Sequence, residues 1–167
     1  MARAASAGHT VLVPEGEGLA TQIIDVRDLA QWIVQAAAER VSGAVNAVGE
    51  RRPLAVVLAL AAEVAAAANG QQARLRRMPD AWLLNQGVRP WAGPRSLPLW
   101  VPGDGHAGFG RWARTRALQT GLRCRPLADT LADVLAWEQR RPADTLRRVG
   151  LSDTDAAELL ALADSAP

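Results

Sequence analysis

The fold is indicated first by one stretch of sequence, QIIDVRDLAQWIVQAA, at residues 22–37. Its first five residues, which end at Val26, are rich in β-branched side chains and predict a strand. Asp28 then stands where a helix N-cap is expected, and apolar residues recur from Leu29 to Ala36 at the spacing of one helix face. A strand that leads directly into a helix, here over residues 29–40, is typical of an α/β fold.

The same patterns, followed outward in both directions, predict a few short strands and about five or six helices. Further strands are expected at residues 10–13, 44–48 and 73–77, and further helices at residues 54–68, 80–86, 115–120, 127–141 and 154–163. Pro53 is expected at the first position of the second helix, and Gly70 just after its end. That helix is apolar on every face except at Glu63, so we expect it to pack on more than one side.

A long irregular segment follows at residues 87–110. It contains four of the chain's ten prolines and six of its fourteen glycines, so regular structure is not expected there. Three large aromatic side chains, Trp91, Trp100 and Phe109, lie in the same segment. Because surface loops rarely hold such side chains without burying them, the pattern predicts a packed loop, and such loops are often functional.

The composition excludes several kinds of chemistry. All 19 basic residues are arginine, and the chain has neither lysine nor tyrosine. A mechanism that needs a lysine Schiff base, a P-loop lysine or a tyrosine general acid therefore cannot be run by this chain alone. A single cysteine, Cys124, excludes an intrachain disulfide and a multi-cysteine zinc site, which is consistent with a cytoplasmic protein.

Charge and hydropathy also limit the partners. The net charge of +2 does not favour nucleic acid as a partner. The longest apolar run, residues 54–68, is shorter than the roughly 18 to 20 residues that cross a bilayer, so no membrane partner is expected.

Two motifs could indicate cofactor or metal binding, but the residues around them argue against both. Residues 103–108, GDGHAG, match the dinucleotide fingerprint G-x-G-x-x-G, but Pro98 and Pro102 exclude the central strand that must precede it. The two histidines, His9 and His106, are far apart in the chain and have no metal-ligand spacing, so no metal site is expected. His106 is either an ordinary loop residue beside glycines or a polar contact to a substrate.

Charged clusters elsewhere have simpler structural explanations. Asp25, Arg27 and Asp28 lie at a strand-to-helix transition, where helix capping and an ion pair explain them as well as a ligand does. The arginines at positions 74, 76 and 77 are expected to protect an exposed strand edge. Cys124 is expected to be a buried or half-buried thiol within a strand.

Three stretches taken together resemble a known family. The first runs from VLVP at residues 11–14 to IDVRDLA at residues 24–30, and the second is GAVNAVG at residues 43–49. The third begins with TRA at residues 115–117 and ends at Trp137, with RPL and DTL between them. Their order and spacing over most of residues 3–142 resemble the second half of extended short-chain dehydrogenase/reductases, the NAD-dependent epimerase/dehydratase family.

The resemblance implies a C-terminal part of a Rossmann-type fold, with a substrate-binding portion at residues 1–150 and a terminal helix at residues 151–167. In that family an N-terminal sheet with a Gly-rich loop binds NAD(P), and a Ser or Thr with a Tyr-x-x-x-Lys pair supplies the proton chemistry. Since this chain has no Tyr or Lys, the resemblance implies no catalytic residue and no tight cofactor site in it. The implied partners are a small-molecule substrate and either the missing Rossmann half or a self-associating copy.

Departures from the family narrow the expectation. Thr21 stands where nucleotide-sugar epimerases commonly carry an Arg, which argues against a sugar-nucleotide diphosphate as substrate, and Ala113 replaces the usual helix-capping Asp. The residues expected to contact substrate are Gln22, Trp91, Trp100 and His106. The alternative hypothesis, from a different class, is a stand-alone, non-catalytic ligand-binding or interaction module.

Overall fold

The computed structural model describes residues 10–15, 18–103, 106, 108–142, 145 and 148–165, which form an α/β fold with six helices and a few short strands. The strands are β1 (Thr10–Pro14), β2 (Ala20–Gln22), β3 (Arg51–Pro53), β4 (Arg74–Met78), β5 (Arg89–Pro90) and β6 (Ser96–Leu97). The helices are α1 (Val26–Ala38), α2 (Leu54–Asn69), α3 (Asp80–Asn85), α4 (Thr115–Gln119), α5 (Leu127–Arg140) and α6 (Asp153–Asp164).

The strands form three separate two-stranded sheets. β1 pairs in parallel with β4, so that Val13 lies opposite Arg77, and β5 pairs in parallel with β6. β2 pairs antiparallel with β3, with Gln22 opposite Arg51. β1 is buried from Val11 to Pro14, because α2, α6 and the segment that holds Trp100 supply the core around it. This core also contains Leu54, Leu83 and Leu159.

Helix α1 begins three residues earlier than the sequence predicts. Asp25, not Asp28, is the N-cap, and its Oδ1 accepts a hydrogen bond of 2.9 Å from the backbone N–H of Arg27. The preceding strand is also shorter than predicted and ends at Gln22, since its partner β3 reaches no further than Arg51. Asp28 is consequently left inside the first helical turn and is free to bind a distant side chain.

Two predicted strands are not formed. Residues 44–48, and the segment around Cys124, have no ladder partner among the residues that the structure describes, and a strand requires one. Their side chains instead pack on a second, smaller core centred on Trp32, Ala117 and Leu122. Gly49 closes the first of these segments against Ile23, whose carbonyl oxygen would lie only 1.6 Å from a Cβ at that position.

Helix α2 agrees with the sequence prediction except in its first turn. Pro53 is the N-cap instead of the first helical residue, and Gly70 ends the helix at a φ of 70° while its N–H donates to Ala66. The helix packs against α5 and β4, but Val56 remains 49% exposed, so one side is open. No described helix combines the length and the apolar character that crossing a membrane requires.

Candidate functional site

Strand β2 borders two cavities. Ala20 lines the first, of about 260 Å³, and Thr21 lines the second, of about 300 Å³. No described residue lines both of them. We call the first the loop cavity, since six loop residues line it (Leu99, Val101, Gly103, His106, Phe109 and Arg111), and the second the arginine cavity, since Arg52, Arg114 and Arg125 line it.

The wall of the loop cavity contains both polar and apolar groups, and its polar surface is the larger. Leu99, Val101 and Phe109 supply the apolar surface, and Asp80, His106 and Arg111 supply a carboxylate, an imidazole and a guanidinium. Asp80 belongs to α3, while His106 and Arg111 belong to the loop. A wall of this kind suits a polar small molecule, whose orientation a few placed polar groups can fix.

Of the four residues predicted to contact substrate, His106 lines the loop cavity directly. Trp100 does not: its side chain is completely buried, and its Nε1 donates a hydrogen bond of 2.9 Å to Oδ1 of Asp80. Trp100 therefore orients a carboxylate of the cavity wall from behind and has no surface to offer a ligand.

Trp91 and Gln22 contact residues in or next to the wall of the loop cavity. Trp91 is 51% exposed and meets Phe109 edge-on, with ring centroids 5.2 Å apart. The Gln22 amide donates to the carbonyl oxygen of Trp112 at 2.9 Å and accepts from its N–H at 2.8 Å, which fixes the chain just after Arg111. The structure thus places His106 in the wall of the loop cavity and Trp91 and Trp100 against residues that line it, whereas Gln22 binds Trp112, which does not line the cavity.

Gly110 allows this loop to cross β2 closely, and sequence reasoning did not single it out. Its φ is +66°, and a Cβ there would lie 2.6 Å from the carbonyl oxygen of Ala20. Only glycine meets both requirements without strain. A sequence signal was present, since Gly110 follows the last aromatic residue of the glycine-rich segment.

The arginine cavity is bordered by a buried network of charges that includes Asp25. Its carboxylate accepts from Nε and Nη2 of Arg27 at 2.9 and 2.7 Å, and from the hydroxyl of Thr130 at 2.9 Å. The Arg27 hydrogen bonds hold the pKa of Asp25 well below its usual range, although burial acts in the opposite direction. Asp25 is therefore a fixed anion and not a proton donor.

Asp28 is held in the same way by Arg125. The backbone N–H, Nε and Nη2 of Arg125 donate to its carboxylate at 2.8, 2.9 and 2.7 Å. These hydrogen bonds lower the pKa of Asp28 against the effect of burial. The geometry thus agrees with a structural use of these charges: Arg27 forms an ion pair as predicted, whereas the N-cap role predicted for Asp28 belongs to Asp25.

The structure describes only part of the G-x-G-x-x-G motif that begins at Gly103. A fingerprint of this kind needs a strand directly before it and a helix directly after it, but β6 ends at Leu97 and α4 begins at Thr115. Residues 104, 105 and 107 of that motif, and His9, lie outside the described residues. Within the described part of the chain, no group of three or more His, Cys, Asp or Glu side chains is placed to hold a metal ion.

Comparisons of this chain with protein-family models, with curated proteins and with solved structures find no significant match. The functional argument therefore depends on the sequence pattern and on the geometry of the two cavities.

Proposed function

We propose that this chain is the substrate-binding, C-terminal portion of a cytoplasmic NAD(P)-dependent oxidoreductase similar to the epimerase/dehydratase family, and that it does not transfer hydride alone. The proposal is supported first by the three stretches between residues 11 and 137 that resemble that family in order and spacing. The absence of Tyr and Lys from the sequence supports the second half of the proposal, since these residues carry the family's proton chemistry.

The observation that supports the proposal best is the convergence on the loop cavity. Trp91 and Trp100 contact Phe109 and Asp80 of its wall, Gln22 binds the residue that follows Arg111, and His106 is part of the wall itself. The polar groups of this wall suit a small molecule with hydroxyl or carbonyl groups, which accept from or donate to imidazole, guanidinium and carboxylate. In the complete enzyme the nicotinamide supplies the redox chemistry, and these residues bind and orient the substrate.

The partner in this proposal is a Rossmann half that holds the cofactor, or else a second copy of the chain. Exposed apolar side chains on α1 are consistent with such a partner: Ile33 is 53% exposed and Val34 is 71% exposed. Large exposed apolar areas on a small protein commonly mark contacts with another protein.

The test uses the purified 167-residue chain. Calorimetric titration with NAD(H) and NADP(H) should give no tight binding, and the nicotinamide absorbance should stay constant when small ketones and aldehydes are added. Ligand-observed NMR with a mixture of small hydroxy ketones and hydroxy acids should show binding to the chain. Binding should be lost in His106→Ala and kept in Trp137→Ala, a matched exposed control outside both cavities.

Two outcomes would contradict the proposal. Stoichiometric oxidation of the nicotinamide by this chain would show that the hydride machinery is present in it. Failure of every compound in the NMR mixture to bind would remove the substrate-binding role and favour an interaction module.

A further inference from the structure

We propose that the arginine cavity is a second binding site, for a small oxyanion such as a carboxylate or phosphate group, and that Arg114 is the side chain that binds it. This inference does not depend on the proposed function, because no described residue lines both the arginine cavity and the loop cavity. It depends on how the charges around that cavity are paired.

Two of the three arginines that line the cavity are already neutralised by carboxylates. Nη2 of Arg125 lies 2.7 Å from Oδ1 of Asp28, and Nη2 of Arg52 lies 2.5 Å from Oε2 of Glu50. Arg114 differs from both. Among the described residues its guanidinium has no carboxylate within 4.0 Å, and its contact is a long one of 3.8 Å from Nη2 to the Sγ of Cys124.

Because part of the Arg114 guanidinium is buried, the lack of a carboxylate partner is energetically unfavourable. Its Nε is shielded from water and has no hydrogen-bond partner in the described part of the chain. A guanidinium that has lost part of its hydration, with no hydrogen bond in exchange, gains more free energy from binding an anion than a fully hydrated guanidinium does. An oxyanion that accepts hydrogen bonds from the Nη groups would balance the charge of the guanidinium, although the Nε–H would stay unpaired.

The N-terminus of α5 adds a second source of positive potential. Pro126, its N-cap, and Leu127, its first residue, both line the cavity. No side chain caps this end of the helix. The first N–H groups of a fourteen-residue helix, together with its dipole, favour an anion at this end.

The two buried carboxylates of the cavity do not oppose such a ligand. Asp25 is matched by Arg27, and Asp28 by Arg125, through charge-assisted hydrogen bonds of 2.7 to 2.9 Å. With these pairs and the Arg52–Glu50 pair complete, the positive charge of Arg114 is the one left over among the lining residues that the structure describes. The cavity volume of about 300 Å³ also leaves room for a small organic molecule attached to the anionic group.

Cys124 provides a direct measurement of occupancy. It is the chain's only cysteine, it lines the cavity, and its Sγ is 3.8 Å from Arg114. We would measure the rate at which N-ethylmaleimide, an uncharged reagent, alkylates the folded chain at constant ionic strength. Inorganic phosphate forms one arm of the experiment, acetate and succinate form the other, and chloride is the reference anion.

The expected result is a saturable slowing of alkylation by phosphate, by a carboxylate, or by both, which identifies the source of the oxyanion. Arg114→Gln should weaken this protection by about tenfold or more, because hydrogen bonds to a charged group are lost. Arg123→Gln is the matched control: it removes the same charge next to Cys124 from an exposed side chain outside the cavity, and it should retain full protection.

Arg114→Lys keeps the charge but not the planar fork, so it should retain protection at reduced affinity, and it serves if Arg114→Gln does not fold. The inference is wrong if neither phosphate nor a carboxylate protects Cys124 in a saturable way. It is equally wrong if Arg123→Gln loses as much protection as the Arg114 variants, because a diffuse charge effect would then explain the result.

Discussion

Arg125 and Asp28 are 97 residues apart in the sequence, yet the backbone N–H and the guanidinium of Arg125 together donate three hydrogen bonds to the Asp28 carboxylate. Asp28 lies in the first turn of α1, and Arg125 lies just before α5. The Asp28 side chain is 8% exposed, while that of Arg125 is 28% exposed. This pair therefore joins two distant segments that both line the arginine cavity.

Removal of the Asp28 carboxylate should destabilise the fold. Asp28→Ala leaves the Arg125 N–H and guanidinium without their acceptor, and we expect a loss of about 2 kcal/mol, below the full effect for a buried pair because Arg125 is partly solvated. The free energy of unfolding in urea at neutral pH measures it. Asp133→Ala breaks the exposed contact with Arg27 and should cost less than about 1 kcal/mol. Equal losses in the two variants would show that burial of Asp28 does not matter.

Three carboxylates that accept hydrogen bonds in the folded chain should make the protein less stable in acid. Asp25, Asp28 and Asp155 all have a lowered pKa in the folded chain, through hydrogen bonds from Arg27, from Arg125, and from Ser152 with Arg95. The unfolded chain then takes up protons first as the pH falls, so their contribution is present above the unfolded pKa of about 3.9 and is lost below it.

We therefore expect the free energy of unfolding to decrease as the pH falls through about 4 and below. We expect Asp28→Asn to be less stable than the original chain at neutral pH, and the difference in the free energy of unfolding, the gap, should narrow in acid, where the carboxylate of the original chain is also protonated. Urea unfolding at a series of pH values measures the gap. A gap that stays constant over the whole range would contradict the lowered pKa of Asp28.

The sequence predicted the elements that depend on local signals. Gly70 ends α2 as expected, because its left-handed backbone conformation is a property of the residue itself. The N-cap of α1 was misplaced, because Asp25 and Asp28 are equally good capping residues. In the structure Asp25 caps the helix, and Asp28 binds the distant Arg125 instead. Residues 44–48 were predicted as a short strand before Gly49, but a strand also needs a neighbouring strand, which local sequence does not encode.

Prediction of the candidate site was limited by the same non-local effects. Gln22, Trp91, Trp100 and His106 were predicted to contact substrate, but only His106 lines the loop cavity, and the sequence does not show that Trp100 is buried behind Asp80. Arg114 was missed entirely. Arg114 is a candidate because no carboxylate among the described residues lies near its guanidinium. The sequence alone does not show which side chains are close in space.

The two tryptophans of the loop should respond differently to truncation. Trp100→Ala removes a completely buried side chain and its hydrogen bond to Asp80, and we expect a loss of about 3 to 5 kcal/mol in the free energy of unfolding. Trp91→Ala removes a half-exposed ring, and its cost should stay below about 1 kcal/mol. Urea unfolding of both variants, followed by circular dichroism, measures the difference. A Trp100→Ala variant as stable as Trp91→Ala would place Trp100 outside the core.

The Gln22 amide should control how tightly the loop is held. It replaces a pair of backbone hydrogen bonds by binding both the N–H and the carbonyl oxygen of Trp112. Gln22→Ala removes both bonds, so the chain around Arg111 should open more often, and cleavage by trypsin after Arg111 should become about fivefold faster. Mass spectrometry of the early fragments measures this rate. Gln35→Ala is the control, because the Gln35 amide donates to Glu39 within α1 and does not touch the loop. If the two variants are cleaved after Arg111 at the same rate, the Gln22 amide does not fix this segment, and the loop cavity must be shaped by Gly110 and the Trp91–Phe109 contact instead.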